Sequence, residues 1–110
     1  MSSALPVDSS SQKLSTQMRA VLLIFQADAH LMNMVAPFIN LKTETIYWDQ
    51  IFKIGLCSGH RASSVWAYSI WTDELRPKAN PFDAALSLSP ALQRALLQAL
   101  VLRWGLTDAA

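Results

Sequence analysis

The chain has 110 residues, of which 52% are hydrophobic and only 15% charged, with a formal net charge of +1. That length holds one core rather than two, the near-neutral balance excludes a global electrostatic pull toward nucleic acid or an anionic membrane, and a single cysteine excludes an internal disulfide. A typical soluble chain carries about 25% charged residues, so few polar groups are left here to cover the outside, and a self-interface or partner interface is the expected outlet for the apolar surplus.

Residues 1–12 are serine-rich and patternless and read as a disordered tail. They lack the basic and apolar regions of a signal peptide. The longest apolar run, Ala20 to Phe25, is far shorter than the roughly 20 residues that cross a bilayer, so no membrane segment is expected. Residues 13–106 are expected to form one helical domain, and residues 107–110 to fray.

A helical pattern starts at Leu14. Leu14, Met18, Val21, Leu22, Phe25, Met32 and Val35 share one face. The centre, VLLIF, is apolar nearly all round, which suits a central helix of about 20 residues. Pro37 ends it by removing a donor and restricting the residue before it. INLKTE is then a connector, with Thr43 or Thr45 capping the next helix and Glu44 near its positive end. Trp48, Ile51, Phe52 and Leu56 form the next apolar stripe, although TIYW also has strand propensity.

Cys57 to Gly59 make a short break, and a third helix is expected from His60 to Leu75, with Ala62, Val65, Trp66, Ser69 and Ile70 inward. RPKANP ends it through Pro77 and Pro81. NPFDAAL reads as an Asn80 cap, Pro81 in the first helical position and Asp83 in the first turn of a short helix. SPALQRALLQALVLRWG is the clearest element. Ser89 caps it, Pro90 starts it, Arg103 complements the dipole and Gly105 supplies a left-handed C-cap. Leu92, Leu96, Leu100 and Trp104 are expected on its buried side, with Leu97, Val101 and Leu102 widening that face. The fold class is therefore all-α, a compact bundle or orthogonal array of four main helices with one short extra helix.

The chemistry-bearing residues do not assemble into a catalytic or metal-binding pattern. Cys57 and His60 stand three apart at a helix start, but a nucleophilic cysteine also needs an orienting third group, and a structural cysteine beside a partly exposed histidine is the plainer reading. His30 suits a helix–helix contact. Asp73 and Glu74, with Arg76 nearby, suit a solvated helix terminus, because adjacent carboxylates on a helix point apart. No Cys/His cluster has metal spacing. No enzyme activity, cofactor or metal is expected.

Two binding readings follow. In the first, helical aromatics Trp48, Tyr68, Trp71 and Trp104, with Arg61 as a polar anchor, form a surface for another protein or a second copy of the chain. In the alternative, Trp48 to Leu56, Cys57 to Gly59 and His60 to Trp71 make a helix-turn-helix whose His60, Arg61, Ser63 and Ser64 contact DNA. Against it, the reading helix carries one arginine and no lysine, and it holds two tryptophans and a tyrosine.

Residues 58–100, SGHRASSVWAYSIWTDELRPKANPFDAALSLSPALQRALLQAL, resemble a family of small uncharacterised bacterial proteins carried on mobile elements. The matching positions are Ser58, Gly59, Arg61, Trp71, Phe82 and Asp83, and the proline-rich RPKANP stands where the family has a glycine-rich connector. The resemblance implies a bacterial or phage-like accessory protein and carries over no catalytic residue. The expectation is a cytoplasmic, non-enzymatic protein-interaction module, self-associating or bound to a partner of host or phage machinery.

Overall fold

The computed structural model describes residues 14–74 and 80–106. The expected tail (1–12), the frayed end (107–110) and most of the RPKANP connector, with Arg76 and Pro77, lie outside the described residues.

Ser15 opens helix α1 (Thr16–Gln26) by accepting the Met18 N–H on its hydroxyl at 3.1 Å. Met18, Ala20, Val21, Leu22, Ile24 and Phe25 are buried along it. The expected single helix to Val35 is in fact two. Asp28 takes an extended conformation and caps α2 (Ala29–Val35), its Oδ1 accepting the Leu31 N–H at 3.1 Å. An aspartate offered a free backbone donor three residues on competes with helix continuation, and here it wins. The break re-aims the chain so that Leu31 and Val35 enter the core, while Met32 is only half-buried.

A 3₁₀ turn containing Pro37 (Ala36–Phe38) ends α2. Next comes a two-stranded antiparallel hairpin, of which the strand propensity of TIYW is the one sign in the sequence. Strand β1 (Ile39–Asn40) pairs with β2 (Thr45–Ile46), Ile39 opposite Ile46 and Asn40 opposite Thr45. Asn40 closes the loop by accepting the Lys42 and Thr43 N–H groups at 3.0 and 3.1 Å. Thr43 and Thr45 cap no helix; their hydroxyls meet each other at 2.9 Å. Glu44 does sit at a helix start, but that of α1, where its carboxylate accepts the Ser15 N–H at 3.2 and 3.3 Å.

Helix α3 (Trp48–Lys53) buries Trp48, Ile51 and Phe52. Helix α4 (Ser58–Thr72) begins two residues earlier than expected and stops at Asp73, whose left-handed backbone (φ 63°) makes the C-cap. Helix α5 (Pro81–Ala84) follows the Asn80 side chain, which accepts the Phe82 N–H at 2.8 Å, as the sequence implies. Helix α6 (Pro90–Arg103) has the expected Ser89 cap on Leu92 at 3.2 Å. Its end is a complete Schellman motif: Gly105 N–H donates to Leu102 C=O, Leu106 N–H to Val101 C=O, and Gly105 has φ 73°.

The mostly-α class therefore holds, with the hairpin as an addition. Helix α1 packs chiefly on α6 and α4, and α4 also touches α3, α5 and α6. One hydrophobic cluster runs through all of these except the short α5, which leans on it through Ala84. No described helix is long and apolar enough to cross a membrane.

Candidate interaction surface

Helix α4 carries most of the residues singled out from the sequence, and other elements pack around much of it. Ala62, Ser63, Ser64, Val65, Ala67 and Ile70 are buried, which takes in nearly the whole circumference. Small side chains make this packing close. At Gly59, an added Cβ would lie 3.2 Å from the Ser87 carbonyl oxygen. Ser63 satisfies its hydroxyl on the Gly59 carbonyl at 3.0 Å, while the Ser64 and Ser69 hydroxyls are buried without a partner.

This geometry corrects the DNA-contact set. Ser63 and Ser64 are both 0% exposed, so neither reaches a phosphate or a base edge. His60 is also largely covered, and its Nε2 lies 3.0 Å from Asp28 Oδ2. The bond ties α4 to the cap of α2. The Leu31 N–H and then the His60 contact hold the Asp28 carboxyl below its ordinary range, against a smaller opposing effect of burial. The His30 ring, 5.6 Å from the His60 ring, fits the expected helix–helix contact. Of the four candidates only Arg61 is exposed, and its guanidinium lies 5.6 Å from the Phe52 ring centroid.

Cys57 departs from expectation in the other direction. It is exposed, not packed inside, because it is the residue that precedes α4. Its thiol makes no hydrogen bond with His60. Among the described residues no group of three or more His, Cys, Asp or Glu side chains is placed to hold a metal ion.

The aromatic bets separate in the same way. Trp48 is buried, stacked among Phe25, Phe52 and Tyr68, with Tyr68 edge-on at 5.5 Å. Tyr68 and Trp71 are half-buried against the core. Trp48 is therefore a core residue, and neither Tyr68 nor Trp71 stands free as an anchor. Trp104 does, at 66% exposure.

Trp104 is not alone. Leu97 is 64% exposed, and Val101 and Leu106 are exposed too. Leu97, Val101 and Trp104 stand four and three residues apart and so share one face of α6. The Schellman turn carries Leu106 back beside Val101. Arg94, also exposed, heads the same stripe one turn earlier. The opposite face, Leu92, Ala95, Leu96 and Ala99, is buried. Helix α6 is thus apolar on both sides with only one side covered.

The sequence places Trp104 both among the surface aromatics and, by a run of four-residue steps, on the buried side; the structure corrects the second. Each such step advances about 400° at 100° per residue, a drift of about 40°. Leu92 and Leu96 sit on the core, Leu100 is half-buried, and by Trp104 the row has turned outward.

Beside the stripe, Leu22 and Leu23 of α1 and Leu102 of α6 line an open groove of about 520 Å³, edged by Arg19, Gln26 and Gln98. Phe82 and Leu86, around α5, are also exposed, with Phe82 edge-on to Trp66 at 5.5 Å. Compared with protein families, curated proteins and solved structures, the chain matches none.

Proposed function

We propose that this chain is a non-catalytic protein-interaction module whose docking element is the outer face of α6. The observation that carries the reading is the exposed stripe Leu97, Val101, Trp104 and Leu106 on a helix whose other side is already core. A helix with apolar residues on two opposite sides presents more than the single apolar stripe that one core contact covers, and contiguous exposed apolar side chains on a small domain mark a binding surface. Trp104 is the residue type favoured as an anchor, with Arg94 as a polar companion at the far end. The exposed single cysteine suits a reducing compartment, and cytoplasmic work is proposed with it. An accessory or inhibitory role in a bacterial mobile element or phage is proposed as well, from the likeness read in residues 58–100 of the sequence alone.

The test is site-specific photo-crosslinking in living cells, with a benzophenone side chain at position 101 or position 61. A discrete adduct from position 101 that disappears when Leu97→Gln is added, and none from position 61, is the expected result. No adduct from position 101 contradicts the reading.

A further inference from the structure

We infer that the occupant of the α6 face is a second copy of this chain, paired antiparallel about a two-fold axis level with Ala99. The inference rests on the interaction-module reading and names its partner.

Pro90, Arg94, Leu97, Val101 and Trp104 recur at alternating steps of four and three, which is the spacing of a coiled-coil seam. Arg94, Leu97, Val101 and Trp104 are all exposed. Ala99, fully buried, lies on the side facing away from the seam, so the domain core and the seam use opposite sides of one helix.

The chemistry of the seam is self-complementary in one orientation only. Antiparallel pairing sets Leu97 against the partner's Val101, and Val101 against the partner's Leu97. It also sets Arg94 against the partner's Trp104, twice over by symmetry. A guanidinium over an indole face is a favourable contact. Parallel pairing would instead bring Arg94 beside the partner's Arg94. In the antiparallel pair those two charges stand about 15 Å apart along the axis, at 1.5 Å per residue, beyond the roughly 8 Å screening length of physiological salt. Gln93 and Gln98 flank the seam without charge, and the other charge on the helix, Arg103, is engaged away from the seam by the Ile70 carbonyl and Asp73.

The seam is short. An interface at or below about 1,200 Å² belongs to the weak class, and association in the micromolar range is expected.

Sedimentation equilibrium of the purified full chain tests this from about 1 to 300 µM. The average mass should rise from that of one chain toward that of two. Leu97→Gln with Val101→Gln should abolish the rise while the circular dichroism spectrum stays unchanged, since both side chains are already exposed. Arg94→Gln should weaken association on the order of tenfold, from two lost cation–π contacts per dimer. Register is read by oxidation in a Cys57→Ser background. Mixed Leu97→Cys and Val101→Cys chains should cross-link faster than either variant alone. Faster cross-linking of Leu97→Cys with itself, or a chain that stays monomeric throughout, overturns the inference. A monomer whose position 101 still gives a heavier, different adduct in cells overturns the second copy and leaves the module reading standing. A monomer with no adduct removes both.

Discussion

Asp28 and His60 join two helices through one carboxylate. Oδ1 accepts the Leu31 N–H at 3.1 Å and caps α2, while Oδ2 lies 3.0 Å from His60 Nε2 on α4. The turn between α1 and α2 is thereby pinned to α4. Its position is a consequence of hydrogen bonding, because the apolar periodicity of the sequence runs straight through it.

The Asp28 carboxyl titrates below its ordinary value, first through the Leu31 N–H and then through His60. A depressed folded-state pKa means that the charged form is favoured by folding. The stabilisation is therefore complete above the unfolded value near 3.9, and it is lost as pH falls through the folded value. Asp28→Asn keeps a capping oxygen and removes the charge. Urea unfolding at pH 7 and at pH 3 should show wild type ahead of this variant at pH 7, with the gap narrowing at pH 3. A gap that does not change with pH would contradict the assigned role. Asp28→Ala also loses the cap, and should cost about 1 kcal/mol more at pH 7.

Ser64 and Ser63 are neighbours with opposite prospects. The Ser64 hydroxyl is buried with no partner, whereas Ser63 bonds the Gly59 carbonyl. Ser64→Ala removes an uncompensated polar group and should raise stability by about 1 kcal/mol, while Ser63→Ala should be neutral or lose up to about 1 kcal/mol. Denaturant midpoints at constant slope measure both. Destabilisation by Ser64→Ala would show that its hydroxyl has a partner after all.

Arg103 ties the last turn of α6 to the end of α4. Its Nε donates to the Ile70 carbonyl at 3.0 Å, and its Nη2 to Asp73 Oδ2 at 2.8 Å. Ile70 presents one of the carbonyls that a helix end leaves without a helical donor. Arg103→Ala should cost about 1 kcal/mol, with most of the loss from the carbonyl bond, because Asp73 is 73% exposed and surface ion pairs contribute little. Asp73→Asn should then lie within about 0.5 kcal/mol of wild type by thermal unfolding. Equal losses from the two variants would move the weight to the ion pair.

What could be read from the sequence followed the range of the physics. The Asn80 and Ser89 caps and the Gly105 end came out correctly, because each depends on a few adjacent residues. The hairpin before α3 left only the strand propensity of TIYW, since each strand is only two residues long and leaves no alternation to find. The VLLIF run marks the first helix as central, and α1 does pack on α6, α4 and α2 with Val21, Leu22, Ile24 and Phe25 buried. Helices α4 and α6 are both rich in apolar residues, and periodicity alone does not say which one its neighbours enclose. Part of the signal was present in size: Gly59, Ala62, Ser63, Ser64 and Ala67 let elements come close around α4, whereas on α6 the small Ala95 and Ala99 lie on the covered side and Leu97, Val101 and Trp104 on the other. Trp48 joined the core, Tyr68 and Trp71 packed half-buried against it, and of the expected tryptophan anchors Trp104 is the exposed one.

The account turns on whether the outward side of α6 is covered when the protein is at work. Hydroxyl-radical footprinting measures this directly, comparing dilute purified chain with chain in its host cells. Leu97 and Trp104 should be oxidised readily in the dilute sample and protected in cells, while buried Trp48 is protected in both. Equal oxidation of Trp104 in the two settings would contradict the account.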